Sequence, residues 1–201
     1  MRSHEFVTEY ANIPNHFIAR LKKQGYKLLG QGVDQAAFTV PNNPKLVLKI
    51  FGANSQGHEM FMRWAKFCQK NPNNPYLPKF SGFEKVNIDG EDYIMMYQER
   101  LGHGDEGGPN SELIAAAMGI AMITKWRKHP IRGNDPAGYQ KSWDRDTETL
   151  KKNGVNVELF QKTAAQLLDL GDRYGYDFDL YNPQNIMLRS NGQPVIVDPW
   201  A

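Results

Sequence analysis

Tyr176-Asp177-Phe178-Asp179-Leu180-Tyr181-Asn182-Pro183-Gln184-Asn185-Ile186-Met187 is followed, after a short break, by Gly192-Gln193-Pro194-Val195-Ile196-Val197-Asp198-Pro199-Trp200. A carboxylate and an amide stand at the two ends of a tight loop. A short apolar strand, a glycine turn and a second apolar strand then lead to another carboxylate. Such oxygen donors hold a hard divalent cation and orient a hydroxyl. This segment decides how the rest of the chain is read.

Working outward, the 201 residues are enough to bury a core without covalent staples. A net charge of +2 with no basic run argues against a nucleic-acid binder. The single cysteine, Cys68, excludes an intramolecular disulfide and fits a reducing cytoplasm. It sits in a helical stretch and reads as a small packing residue. Met1-Arg2-Ser3-His4-Glu5 lacks the apolar core of a signal peptide. The longest apolar stretch, Leu113 to Ile123, falls short of the roughly 20 residues that cross a bilayer. The expectation is a monomeric cytoplasmic protein with no nucleic-acid or membrane partner.

The pattern predicts a short helix over Pro14 to Gln24, ended by Gly25. Strands follow at Tyr26 to Leu29, Ala36 to Val40 and Leu46 to Phe51. A helix from Gln56 to Lys70 is stopped by Asn71-Pro72. Lys79 to Val86 and Tyr93 to Gln98 form a hairpin around Asp89-Gly90. Helices are expected over Ser111 to Lys128, Gln140 to Lys152 and Val157 to Tyr174. Gly102, Gly104, Gly107 and Gly108 mark a joint, giving a sheet-rich lobe over 1–101 and a helical lobe over 102–201. Ligands often bind in the cleft of such a pair.

Several residues in the first lobe carry chemistry. Gly30-Gln31-Gly32 lets the backbone approach phosphates and aim N–H groups at them, although a plain hairpin turn also uses glycine. Lys49 is the only basic residue of the third strand, placed to reach nucleotide phosphates. Glu59 is the only acidic residue of the next helix, and reads either as a solvated surface group or as the partner of Lys49. Met95 and Met96 can wall a purine pocket, with backbone groups near Glu99 and Leu101 reading the adenine edge.

Taken in order, this constellation resembles the protein-kinase-like superfamily. The stretches 32–37, 46–52, 77–82 and 195–200 resemble small kinase-like proteins of bacteriophages, and the last segment is similar to the kinase domain of the early protein kinase of T7-like phages. The resemblance implies an α+β, minimal bilobal kinase-like fold: an antiparallel five-stranded sheet with one inserted helix, then a reduced helical lobe ending just after the metal-binding Asp. It implies ATP with Mg2+ or Mn2+. Lys49 would hold the α/β-phosphates and pair with Glu59, while Gly30, Gln31 and Gly32 cover them. Asp179 would take the proton of the acceptor hydroxyl, and Asn185 and Asp198 would bind metal.

The chain departs from the family in places. Gln35 stands where a third glycine is usual. The Asp179 to Asn185 spacing is one residue longer than usual; Asp177 with Asn182 restores it but lies too far from Asp198. Asn185 opens the hairpin that ends at Asp198, which favours the first pair. Pro199-Trp200 replaces the usual glycine, and the sequence stops three residues after Asp198, with no activation segment. The leading expectation is a phage-type Ser/Thr protein kinase acting on a host or viral protein. The alternatives are a small-molecule kinase of aminoglycoside or choline type and an inactive pseudokinase that acts as a binding module.

Overall fold

The computed structural model describes residues 13–31, 35–52, 56–102, 109–130 and 136–200. It is an α+β chain of two compact units, Met1–Lys70 with Lys79–Arg100 and Asn71–Pro78 with Leu101–Ala201.

The first unit begins with helix α1, Asn15–Lys23. Its end is set by Gly25, whose φ of 91° belongs to the left-handed region. The Gly25 N–H donates to Lys22 O and the Tyr26 N–H to Leu21 O, a double closure that satisfies the last carbonyls. Five strands follow: β1 Lys27–Gln31, β2 Gln35–Val40, β3 Asn43–Gly52, β4 Phe80–Ile88 and β5 Glu91–Glu99. They form one antiparallel sheet in the order β1-β2-β3-β5-β4, and helix α2, Gln56–Lys70, lies between β3 and β4 in the chain. This is the element order that the resemblance implies. Asp89 and Gly90, at φ 55° and 91°, make the tight turn joining β4 to β5.

Side chains alternate across a strand, and directly paired residues of neighbouring strands share a face. One face carries Ala36, Phe38, Leu48, Ile50, Tyr93 and Met95, packed against Phe17, Ile18 and Leu21 of α1. Each large side chain removed from water here contributes about 1.5–3 kcal/mol. The other face carries Ala37, Lys49, Phe51 and Met96. Phe61 of α2 stacks on Phe51 at 4.2 Å between ring centroids and meets Phe80 edge-on at 5.8 Å.

The second unit is built on α3 Pro109–Lys128, α4 Pro136–Lys152 and α5 Val157–Tyr174, with a hairpin of β6 Ile186–Leu188 and β7 Pro194–Ile196. The Asn156 side chain caps α5 by accepting from the Leu159 N–H at 3.0 Å. Phe160, Ala164, Leu167, Leu168 and Gly171 form the buried stripe of α5. No described helix is long and apolar enough to cross a membrane.

The expected boundary is corrected in one segment: Asn71–Pro78 belongs to the second unit. Polar ties explain it. Arg189 donates to Pro75 O and, at 2.9 Å, to Leu77 O. The Ile196 N–H donates to Tyr76 O at 3.0 Å, and the Tyr76 hydroxyl to Asn156 O at 3.0 Å. The Asn74 amide donates to Thr163 Oγ1 at 2.8 Å. These partners lie about 80 to 120 positions away, so no local pattern announces them.

Phe17→Ala is expected to destabilise the chain by about 3–5 kcal/mol, because it removes a buried aromatic side chain of α1 from the contact with the sheet. Urea unfolding measures this, and a loss below about 1 kcal/mol would show that α1 does not hold the sheet.

Candidate functional site

The strand register assembles the first group of residues. Gly30 of β1 pairs with Ala37, Ala37 with Lys49, and Lys49 with Met96. They make one transverse row on the face opposite α1. The row begins with a glycine and an alanine, and a Cβ built on Gly30 would meet nothing within 4 Å. The space over Gly30 is therefore free of other heavy atoms on that side. The Lys49 Nζ lies 5.0 Å from the centroid of Phe61, which places an ammonium over a ring face. Gln31 ends β1 and is exposed. Gly32 lies outside the described residues, as do Gly104, Gly107 and Gly108.

Glu59 behaves differently from the expected partner of Lys49. Its carboxylate pairs with Arg63 one turn along α2, and its side chain is 62% exposed. The helical spacing favours this pair, since residues four apart on a helix are neighbours. An exposed pair of that kind contributes at most about 1 kcal/mol, so it holds Glu59 weakly.

The methionines part company for the same reason that Lys49 and Met96 meet. Met95 points into the α1 core. The expected double methionine wall is thus corrected to Met96 alone, because successive residues of a strand face opposite ways. At the strand end, the Glu99 N–H donates to Lys79 O at 2.9 Å and the Arg100 N–H to Lys45 O at 2.7 Å. The Lys79 N–H donates to Glu99 Oε1 at 2.9 Å. Leu101 opens the second unit, and its neighbour Gly102 bridges Leu188 through two backbone bonds of 2.9 and 2.8 Å.

The second group is held by the loop between α5 and β6. Phe178 and Leu180 are buried, while Asp177 is exposed and Asp179 half-buried. A single 3-10 turn, Pro183–Asn185, follows, capped by Asn182, whose side chain accepts from the Gln184 N–H at 3.0 Å. Asn182 is thereby occupied in local structure. Asn185 is 8% exposed, and its Nδ2 donates to Asp179 O at 2.5 Å and to Asp179 Oδ2 at 3.2 Å. The loop brings Asp179 and Asn185 together despite the additional residue between them. With Nδ2 committed, Oδ1 is the Asn185 atom left to face a cation.

The hairpin end closes on the same loop. The Val197 N–H donates to Asn185 O at 2.9 Å, and the Asp179 N–H to Pro199 O at 2.9 Å. Phe178 and Trp200 form a further bridge. Asp198 therefore lies between two residues whose backbones bond Asn185 and Asp179. An amide oxygen and a carboxylate are hard donors, which suit Mg2+ or Mn2+. Among the described residues, no group of three or more His, Cys, Asp or Glu side chains gathers as a metal cluster.

Two residues that the sequence reading did not single out support this loop. Lys125 of α3 donates to Phe178 O at 3.1 Å, and its Nζ lies 5.3 Å from the centroid of Tyr181. The ammonium thus flanks Asp179 on both sides in the chain. Its only signal in the sequence is that it is the first cation after an apolar run. Gly171 gives Trp200 its place: a Cβ there would lie 2.8 Å from Trp200 Nε1, which donates to Leu167 O at 3.1 Å. Cys68 is buried, and burial pushes its thiol up, as expected of a packing residue.

No protein-family model and no curated protein matches the chain. Among solved structures it is similar to the ternary complex of APH(2″)-IIa with streptomycin and ATP, at 15% identity and a TM-score of 0.31, over 94% of this chain and 73% of that one.

Gly171→Ala is expected to destabilise by about 1–3 kcal/mol, although alanine normally favours a helix, because the new methyl collides with Trp200. Thermal melting with Trp200 fluorescence checks the sign. Asn185→Ala removes two bonds to Asp179 and is expected to cost about 1–3 kcal/mol in urea unfolding. An unchanged midpoint would mean that Asn185 does not organise the loop.

Proposed function

We propose that this chain is an ATP-dependent phosphotransferase that uses Mg2+ or Mn2+, and that it acts on a Ser or Thr hydroxyl of a host or viral protein. The observation that carries the reading is the joining of Asp179 and Asn185 through 3.2 Å, with Asp198 fixed between backbone partners of the same two residues. The row Gly30, Ala37, Lys49, Met96 adds a cation beside two small residues on one sheet face.

In this reading the Lys49 ammonium holds the α/β-phosphates, with the Gly30-Gln31-Gly32 turn over them. Met96 packs on the base. Asn185 Oδ1 and the Asp198 carboxylate hold the metal, which supplies charge neutralisation at the phosphates. Asp179 orients the acceptor hydroxyl and takes its proton. The acceptor oxygen then bonds to the γ-phosphorus as the bond to the ADP oxygen breaks. Such transfer needs placement and neutralised charge more than covalent help from the protein. The tie between the Asp179 N–H and Pro199 O, with φ fixed at Pro199, favours a permanently assembled loop over a switched one.

The pairing of Glu59 with Arg63 favours a second reading, a non-transferring module that binds a partner protein. Glu59 is then engaged within α2 and not in the role that the kinase resemblance gives it.

Transfer of the γ-phosphate from labelled ATP separates these readings. With Mg2+ or Mn2+ and a bacterial lysate, labelled protein bands are expected that vanish in Lys49→Ala and Asp198→Ala. Label on a small acceptor in the absence of protein would replace the protein substrate with a small molecule. Unchanged activity in both variants would overturn the site, and no label with no ATP-induced rise in melting temperature would leave the binding module.

A further inference from the structure

Gln98 is 4% exposed, on a strand whose neighbouring buried side chains are apolar or aromatic. It lies two residues beyond Met96 and so on the Lys49 face of the sheet. Directly across from it stand Val47 on β3 and Phe80 on β4. Neither side chain has a hydrogen to donate. Among the described residues, Gln98 Oε1 is buried and accepts no hydrogen bond. Leaving such an acceptor unmet is costly, and an apolar side chain of similar length would fill the position without that cost. The N–H groups of Glu99 and Arg100 are used within the sheet, so neither is left to read a base.

We infer that Gln98 reads the base of the nucleotide, its Oε1 accepting a hydrogen bond from the 6-amino group of a purine. The inference rests on the nucleotide reading above and adds to it a residue that sets the choice of base. A 6-amino group supplies the donor that Val47 and Phe80 cannot. A 6-oxo group presents another acceptor to the same oxygen. The oxygen is covered in the ligand-free chain, so binding requires a side-chain rotation. Met96, unbranched and turning about three torsions, is the neighbour best suited to move. The unmet acceptor is then a cost carried by the free protein and relieved by the correct base, which is how buried polar groups produce discrimination.

Calorimetric titration of the whole chain with ATP and with purine riboside triphosphate, which has the same phosphates but no 6-amino group, tests this without any variant. ATP is expected to bind about tenfold more tightly. Gln98→Met is expected to bring the ratio close to one. The same variant should raise the melting temperature of the free protein by about 2–4 °C, because the orphaned oxygen is gone. A Gln98 that only packs the core would weaken both ligands equally, and a ratio unchanged in Gln98→Met overturns the inference. Equal affinity of the wild-type chain for the two ligands overturns it as well, while leaving the nucleotide reading standing. If the wild-type chain binds neither, the nucleotide reading itself fails and the inference falls with it. Should Gln98→Met not fold, Gln98→Leu gives the same comparison of the two ligands.

Discussion

The two-residue period of the antiparallel sheet is the constraint on which the first unit depends. Paired residues share a face, so one choice of register sorts every side chain at once. Phe38, Leu48, Ile50 and Met95 go to α1, and Ala37, Lys49, Met96 and Gln98 go to the other face. A slip of one residue would bury Lys49 under α1 and turn Leu48 and Ile50 to the opposite face. The apolar contact with α1 therefore protects the placement of Lys49, although α1 lies on the far side of the sheet. Stability and candidate chemistry are coupled through register and not through direct contact.

In the second unit the corresponding constraint is a knot of backbone bonds around Asn185. Its amide holds Asp179, its carbonyl holds Val197, and Asp179 in turn holds Pro199. Behind this knot, Trp200 is seated against Gly171, and Lys125 anchors the carbonyl of Phe178. Beside the bonds within the loop, Lys125 and the hairpin end at Val197 and Pro199 tie it to segments outside it. The loop is thus specified by the packing of α3 and α5 beneath it. The 3-10 turn at Pro183–Asn185 leads the chain back so that Asn185 lies against Asp179.

Much of this was legible in the chain. The tight pair Asp89-Gly90, the glycine after α1, the proline after α2 and the periodicity of α5 mark their elements through local chemistry. Asp179 and Asn185 could be chosen over Asp177 and Asn182 because the hairpin begins at Asn185. What escaped is non-local. The attachment of Asn71–Pro78 to the second unit depends on Arg189 and on the carbonyls of Pro75 and Leu77. The roles of Lys125 and Gln98 depend on a loop and on cross-strand neighbours that no short window contains. Glu59 shows the reverse: a local helical neighbour, Arg63, engages it where a distant partner was expected.

The sequence by itself determined the order and kind of the elements, since turn residues, caps and hydrophobic period act over a few residues. It also placed the oxygen donors Asp179, Asn185 and Asp198 at the ends of a loop and a hairpin. Tertiary structure decided which face each strand residue takes, which methionine stays with Lys49, which carboxylate meets the amide, and which acceptor is buried without a donor. Those outcomes are set by register and by bonds between distant segments, whose energies exist only once the chain has closed on itself.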